Sequence, residues 1–212
     1  MGRPLFALHD VAFKDLIRYP DIEISEGCVT YIVGESGAGK TTLLRLLNGV
    51  VSASTGEVLY RGKPVESYDP VMLRREVLLC GQSHWLFAAS VRENFAEYYR
   101  YRDLPAPGDE EILRFLRLCA ADFNLDADCS TLSGGERQRV FIAICLSLAP
   151  AVLLLDEPTS ALDDATAHRM MSALKEYCAA QEITLVVVSH NSVQTRDFAD
   201  ACIELPGGGR EH

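Results

Sequence analysis

Residues 132–164 read LSGGERQRVFIAICLSLAPAVLLLDEPTSALDD, and this stretch decides the fold. It begins with a Ser-Gly-Gly turn that leads into an amphipathic helix, where free backbone N–H groups and the helix dipole favour an anion. The apolar run at residues 151–155 is typical of a strand buried on both faces of a parallel sheet. Asp156 and Glu157 follow at the carboxyl end of that strand, where α/β proteins bind ligands. An anion seat and two neighbouring carboxylates indicate chemistry on a phosphate.

A second stretch, between a strand and a helix, is predicted to hold that phosphate. Val29–Val33 has the composition of a buried strand, and residues 34–41 (GESGAGKT), the phosphate loop, match the pattern GxxxxGK[ST]. Its glycines, at positions 34, 37 and 39, allow successive backbone N–H groups to point at phosphate oxygens. The Lys40 ammonium supplies charge for the β- and γ-phosphates, and the Thr41 hydroxyl is placed to coordinate Mg²⁺.

Polar residues also follow two other predicted strands. Val77–Cys80 leads through a glycine to Gln82, and Thr184–Val188 leads through a serine to His190. A lone glutamine is usually a loop residue and a lone histidine is often structural. At the carboxyl end of a strand facing the phosphate loop, however, the glutamine amide could bind the metal or orient a water. We predict a site role for the histidine on the same argument.

The remaining segments predict an α/β fold, with a mostly parallel sheet flanked by helices. Residues 5–12 and Ile22–Ile24 alternate apolar and polar side chains, which indicates an antiparallel β part at the N-terminus. Residues 83–127 are rich in aromatic side chains and indicate a helical insertion rather than a separate domain. We predict one domain at residues 1–212, with a helical subdomain at about residues 84–148. Other helices are predicted at residues 42–50, 109–121 and 165–180.

The composition argues against several other classes of protein. The chain has 212 residues, 48% of them hydrophobic, and a net charge of −10, which argues against a broad surface for nucleic acid or anionic lipid. Its seven cysteines contain no CxxC pair, so zinc sites and a disulfide framework are not expected, and the thiols fit a cytoplasmic protein. We find no secretory signal peptide and no apolar stretch of about 20 residues that could span a membrane. Any function at a membrane is therefore expected to need a partner.

These motifs together resemble one family, and the resemblance covers nearly the whole chain. The motif LSGGE following a phosphate loop is far more specific than the loop alone. In order and approximate spacing the chain resembles the ATP-binding cassette ATPases at GESGAGKT (34–41), Gln82, LSGGE (132–136), LLLDE (153–157), SALD (160–163) and His190.

The resemblance implies a P-loop NTPase fold of the ABC type and a head-to-tail dimer with two ATP molecules between the subunits. Each ATP would lie on the phosphate loop of one subunit and be closed over by the signature segment, residues 132–136, of the other. This agrees with the residues themselves, because the anion seat before Glu136 has no phosphate on its own chain. Residues 160–163 would run along the dimer interface. The ATP-binding residues implied are Gly34, Glu35, Ser36, Gly37, Ala38, Gly39, Lys40, Thr41, Thr42, Ser133, Gly134, Gly135 and Asp163.

The same resemblance assigns chemical roles and the cofactors ATP and Mg²⁺. Asp156 would hold the metal, Glu157 would act as the general base that polarises the attacking water, and His190 would contact the γ-phosphate. The implied catalytic residues are Glu157, His190, Gln82 and Lys40, and the implied metal-binding residues are Thr41, Gln82 and Asp156.

The chain departs from the family pattern in some places. Family members often place an aromatic ring beneath the adenine, where this chain has Asp15, and Phe13 and Tyr19 are the alternatives. The helix after the signature segment often has an arginine where this chain has Ile144. Residues 86–95 (LFAASVRENF) resemble a pattern of exporters and of some short two-component transporters, among which metal exporters with subunits of this size are the most similar.

Three functions remain to be separated. The first is the ATP-hydrolysing subunit of a membrane transporter, and the second is a soluble cassette ATPase acting on nucleic acid or ribosomes. DNA-repair relatives insert a long coiled coil or zinc-binding cysteines before the signature segment, but here Lys40 and Ser133 are too close for the coiled coil and the cysteines lack ligand spacing. Ribosome-acting relatives usually carry two cassettes, whereas this chain has one. The first function is therefore favoured. The third is a nucleotide-binding regulator without turnover, and the presence of Glu157 and His190 counts against it.

A transporter subunit needs a membrane partner, and Trp85 and Phe87 are the predicted contact. They lie between Gln82 and the helical insertion, so movement at the γ-phosphate could reach them. A core role for Trp85 is the alternative. In the family, the cleft that borders this segment receives a short cytoplasmic helix of the membrane subunit. The expected location is therefore the cytoplasm, at the inner face of the membrane. The transported substrate and the direction of transport are not predicted, because they depend on the partner.

Overall fold

The computed structural model describes residues 4–81, 85–190 and 192–207, apart from the side chains of Asp15 and Ser192. The strands are β1 (Phe6–Phe13), β2 (Ile17–Arg18), β3 (Ile22–Ile24), β4 (Val29–Val33), β5 (Thr55–Tyr60), β6 (Lys63–Pro64), β7 (Val77–Cys80), β8 (Val152–Asp156), β9 (Thr184–Val188) and β10 (Ala201–Glu204). The helices are α1 (Lys40–Leu47), α2 (Pro70–Glu76), α3 (Val91–Arg100), α4 (Asp109–Leu118), α5 (Gly134–Ser147), α6 (Asp164–Ala180) and α7 (Ser192–Phe198).

A five-stranded parallel sheet, in the order β10-β4-β9-β8-β7, carries the candidate site residues. Strand β8 is buried along its whole length, because its side chains alternate between two hydrophobic cores. Leu153 and Leu155 pack with α5 and α6 on one face, whereas Val152 and Leu154 pack with α1 on the other. The predicted parallel sheet flanked by helices is confirmed.

The carboxyl ends of these strands meet at one edge of the sheet. Cys80 at the end of β7 pairs with Leu155, and Asp156 pairs with Val188 at the end of β9. Ile32 near the end of β4 also pairs with Val188. The phosphate loop, the two acids and His190 therefore leave the sheet at the same edge, as the sequence predicted.

The N-terminal part forms a second, antiparallel sheet. Strand β1 pairs with β2, β3 and β5, and β5 pairs with the short β6. The apolar side of this sheet packs with α1 on one face of the parallel sheet, and the buried leucines of α1 belong to that core. The predicted antiparallel part is confirmed.

The chain between β7 and β8 is mostly helical. Helices α3, α4 and α5 pack on one another, and Phe95, Ile112 and Val140 are buried where they meet. The limits of a helical subdomain at about residues 84–148 stay a prediction. Among the described residues, no helix has the length and apolar character needed to span a membrane.

Two boundaries near the site differ from the sequence prediction. The helix predicted at residues 42–50 begins two residues earlier, at Lys40, because the Gly39 carbonyl already accepts a hydrogen bond from the Leu43 N–H at 2.8 Å. Asp156 is the last residue of β8 rather than the first residue after it, because it still pairs with Val188. Its backbone is therefore fixed by the sheet.

Candidate active site

The Lys40 side chain spans the phosphate loop that precedes it. Its Nζ donates hydrogen bonds to the carbonyl oxygens of Gly34 and Glu35, both at 2.8 Å, and the side chain is buried. Burial lowers the pKa of Lys40, and the carboxylates of Glu157 and Asp156 oppose that shift. The loop cation and the two acids therefore interact, which is the arrangement that a phosphate and a metal ion would need.

Thr41 and Asp156 form a pair beside this lysine. The Thr41 hydroxyl donates to Asp156 Oδ2 at 2.8 Å. Burial raises the pKa of Asp156, whereas the hydrogen bond from Thr41 lowers it. The other carboxylate oxygen, Oδ1, is buried, and within the described part of the chain it has no hydrogen-bond partner. A buried carboxylate oxygen without a partner beside a hydroxyl fits Mg²⁺, which takes few protein ligands and completes its shell with phosphate and water.

Glu157 has a constrained backbone next to this pair. Its φ of 52° lies in the left-handed region, which is uncommon for a residue other than glycine and recurs at functional sites. The Glu157 N–H donates to the Val188 carbonyl at 3.0 Å, and the Glu157 carbonyl accepts from Gln138 Nε2 at 3.2 Å. Contacts from β9 and α5 therefore fix the backbone from which this carboxylate projects.

His190 follows β9 and reaches the Glu157 carboxylate. Its Nε2 lies 3.2 Å from Glu157 Oε1, and the two side chains are 49% and 29% exposed. Both groups are thus open to a ligand while they contact each other. The other predicted strand-end residue, Gln82, lies outside the described residues.

The signature segment lies at the beginning of α5, and two of its residues cap that helix by hydrogen bonds to each other. The Glu136 N–H donates to Ser133 Oγ at 3.4 Å, and the Ser133 N–H donates to Glu136 Oε2 at 2.7 Å, which forms a capping box. Ser133 and Gly134 are exposed. A Cβ on Gly135 would lie 2.7 Å from Ala161 Cβ, so only glycine fits where this turn meets residues 160–163. The turn at the beginning of α5 therefore faces solvent, and its role as an anion site stays a prediction.

The other predicted ATP-binding residues lie in two places. Glu35, Ser36 and Gly37 are exposed on the phosphate loop, whereas Ala38 is buried and Thr42 is half-buried at the beginning of α1. Asp163 is exposed and caps α6 by accepting a hydrogen bond from the Thr166 N–H at 3.0 Å. The hydrogen bonds from Thr166 also lower the pKa of Asp163.

Of the two alternatives for the ring beneath the adenine, Phe13 and Tyr19, the structure argues against Tyr19. Tyr19 is only 6% exposed and donates its hydroxyl hydrogen to the Gly39 carbonyl at 2.9 Å, so it packs beneath the phosphate loop and cannot stack on a base. Phe13 is half-buried, and the Lys14 ammonium lies 5.2 Å from the centre of its ring. The side chain of Asp15 lies outside the described residues.

Sequence reasoning missed one residue that shapes the site. Gln138 is buried in α5, and its amide reaches the carbonyl oxygens of both Glu157 (3.2 Å) and Asp156 (3.5 Å). Its only signal was a polar residue among apolar residues on the inner side of a helix. That signal marks a buried polar contact without naming its partner.

Comparisons with known proteins identify the family of the chain. A family model described as "ABC transporter" matches residues 18–160. The probable iron export ATP-binding protein FetA of Escherichia coli K12 is 32% identical over 207 residues, which is 95% of this chain and 91% of that protein. The phosphate import ATP-binding protein PstB 3 of Natronomonas pharaonis is 36% identical over 199 residues, or 88% of this chain and 71% of that protein.

The solved structures that resemble this chain are also ATP-binding cassettes of transporters. The dimeric ATP-binding cassette MJ0796 bound to ADP and Pi has a TM-score of 0.82 at 26% identity, and the match covers 98% of this chain and 97% of that one. The protein cbiO1 of Clostridium perfringens, part of the transporter complex cbiONQ, has a TM-score of 0.79 at 26% identity, with 96% and 85% covered.

Proposed function

The chain belongs to the ABC transporter family, and on that premise we propose how its residues use ATP. It is an ATP-binding and ATP-hydrolysing subunit that powers a membrane transporter and works as a dimer. One observation carries the assignment of residues: Lys40, the Thr41–Asp156 pair and the Glu157–His190 pair all lie at one edge of the parallel sheet. The direct test is magnesium-dependent release of phosphate from ATP by the purified protein.

We propose that the phosphate loop binds the β- and γ-phosphates. The Lys40 ammonium supplies positive charge, and the backbone N–H groups at the beginning of α1 add hydrogen bonds. Thr41 and Asp156 would hold Mg²⁺, and Gln82 would complete its shell or orient the water. The metal supplies charge that stabilises the developing negative charge on the phosphate oxygens. The buried Oδ1 of Asp156 supports this placement.

In this proposal Glu157 is the general base. Its carboxylate would accept the proton of the water that attacks the γ-phosphorus, and the constrained backbone keeps the carboxylate in place. His190 would contact the γ-phosphate from its position 3.2 Å from Glu157. The direction of Glu157 would thereby depend on whether a γ-phosphate is present.

We propose that each ATP site contains residues from two subunits. The signature residues Ser133, Gly134 and Gly135 would bind the γ-phosphate held by the partner subunit, and Asp163 would lie along the interface. The exposure of Ser133, Gly134 and Asp163 supports this proposal, as does the dimeric state of the related cassette MJ0796.

The membrane partner is proposed to dock at the aromatic patch formed by Trp85, Phe87, Tyr98 and Tyr101. Trp85 is 75% exposed and Phe87 is 42% exposed, so neither is a core residue. The Phe87 ring centre lies 6.1 Å from that of Tyr98 and 6.4 Å from that of Tyr101, and the Tyr98 hydroxyl donates to the Trp85 carbonyl. Large aromatic residues exposed as a group are typical of protein contacts. The protein would then lie at the membrane through this partner.

A metal exporter is the proposed type of transporter. The exporter-like residues 86–95 support it, and so does the similarity to FetA, whose name describes probable iron export and which the chain matches along nearly its whole length. Other relatives are named as importers, such as the phosphate import protein PstB 3. A transport assay with the membrane subunit tests the proposed direction of transport.

Trp85→Ala is expected to reduce co-purification of the co-expressed membrane subunit by about tenfold or more, since the variant removes an exposed aromatic anchor. The melting temperature and the ATPase activity of the isolated protein should change little, because the side chain is exposed. Val50→Ala, an exposed apolar residue elsewhere on the surface, is the control and should retain the partner. Full retention of the partner by Trp85→Ala would contradict docking at this patch.

The adenine ring of ATP is expected to be bound weakly. Since Tyr19 is buried and an aspartate stands where a ring often lies, GTP should bind within about tenfold of ATP, which is roughly 1.4 kcal/mol. Competition of both nucleotides against a fluorescent ATP analogue measures the ratio. A much stronger preference for ATP that is lost in Phe13→Ala would show instead that Phe13 stacks on the base.

A further inference from the structure

Tyr19 is buried against the phosphate loop, and the mechanism above does not use it. It lies between β2 and β3, and its backbone N–H donates to the Val11 carbonyl at 2.9 Å, which fastens it to β1. Its hydroxyl donates to the Gly39 carbonyl at 2.9 Å. The antiparallel part therefore reaches the loop through one specific hydrogen bond.

The contact with Gly39 is close as well as polar. Gly39 has a φ of 89°, in the left-handed region, and a Cβ at this position would lie 2.8 Å from the Tyr19 hydroxyl oxygen and 3.0 Å from the Ile17 side chain. The same Gly39 carbonyl accepts the first hydrogen bond of α1, from the Leu43 N–H. Tyr19 thus fixes the peptide immediately before Lys40, where the loop becomes a helix.

The Tyr19 hydroxyl stays neutral in this position. Burial raises the pKa of Tyr19, and a hydrogen bond with the Thr42 side chain opposes that shift. A neutral phenol keeps its hydrogen and can therefore donate it to the Gly39 carbonyl, as the 2.9 Å contact requires.

We propose that Tyr19 is a positioning residue that holds the first turn of α1 in the shape that receives the nucleotide phosphates. The proposal rests on the function proposed above and deepens it. A fixed turn keeps the N–H groups aimed at the phosphates, so less ordering is needed when they bind. The contribution depends on the hydroxyl and not on the base of the nucleotide.

Tyr19→Phe tests this role because it keeps the ring and removes only the hydroxyl. We expect the Kd of Mg-ATP to rise by between about twofold and tenfold, the usual net effect of one hydrogen bond. The Kd of Mg-tripolyphosphate, which has phosphates and no base, should rise by the same factor. In the steady state, KM should rise while kcat stays within about twofold.

Tyr99→Phe is the matched control. Tyr99 is also buried, and its hydroxyl donates to the Ser147 carbonyl at 2.8 Å, at the end of α5. We expect this variant to lose thermal stability to a similar extent and to bind both ligands as the wild-type protein does.

Two results would overturn the role of Tyr19 while leaving the ATPase function intact. A weaker Kd for Mg-ATP with an unchanged Kd for Mg-tripolyphosphate would place Tyr19 at the base instead. Unchanged values for both ligands, with a loss of stability like that of Tyr99→Phe, would make Tyr19 a structural residue only. Failure of the wild-type protein to bind Mg-ATP would overturn the proposed function, and the role of Tyr19 with it.

Discussion

Replacing Glu157 with glutamine is expected to lower kcat by about a hundredfold or more, because an amide cannot accept the proton of the attacking water. The affinity for ATP should remain, since glutamine has nearly the same shape and the contacts that fix the Glu157 backbone come from Val188 and Gln138. With hydrolysis blocked, the ATP-bound dimer should live longer. Phosphate release measures the rate, and size-exclusion chromatography with ATP and Mg²⁺ measures the dimer.

Glu76→Gln is the control for this substitution. Glu76 accepts a hydrogen bond from the Tyr60 hydroxyl at 3.0 Å, and glutamine can still accept it, so turnover should be unchanged. If Glu157→Gln hydrolysed ATP at the wild-type rate, Glu157 would not be the base. If it lost ATP binding instead, the carboxylate would have a role in holding the nucleotide or the metal.

The second large effect is expected for Lys40→Ala. Removing the buried ammonium proposed to contact the phosphates should weaken binding of Mg-ATP by about a hundredfold or more, which is roughly 2.7 kcal/mol. The substitution also removes the two hydrogen bonds that the Lys40 Nζ donates to the carbonyls of Gly34 and Glu35, so the loop loses internal support. Isothermal titration calorimetry with the nucleotide gives the Kd directly.

Lys175→Ala is the matched control for charge. The Lys175 Nζ donates to the Phe198 carbonyl and to Asp200, so it is also a paired cation, but it lies in α6 and not in the phosphate loop. Its loss should leave the Kd of Mg-ATP unchanged. Equal affinity of Lys40→Ala and the wild-type protein would remove the phosphate loop from the proposed site.

The sequence predicted the strands that carry the site because each is a short apolar run with polar or glycine residues after it. The bounds of β4, β7 and β9 agree with the prediction residue by residue. Once those strands are parallel, Lys40, Asp156, Glu157 and His190 must approach one edge of the sheet, so this part of the site followed from the pattern.

The rest of the site depends on contacts between segments that are distant in the sequence. Tyr19 has an apolar ring and a hydroxyl, and both a base-stacking role and a loop-supporting role agree with its position in the sequence. Only the packing of Tyr19 and of Ile17 in β2 against Gly39 decides between them. Gln138 is a similar case, because its partners are backbone carbonyls about 20 residues away, and periodicity carries no information on backbone partners.

The position of Gln138 on α5 has a mechanical consequence. The same helix holds the backbone of Glu157 through Gln138 and is capped by Ser133, about 7.5 Å away along the helix axis at 1.5 Å per residue. In a head-to-tail dimer, α5 would contact Glu157 in its own ATP site through Gln138, and its N-terminal end would lie in the ATP site of the partner subunit. A rigid-body displacement of α5 would therefore move the general base Glu157 in one site and the closing contacts in the other at the same time.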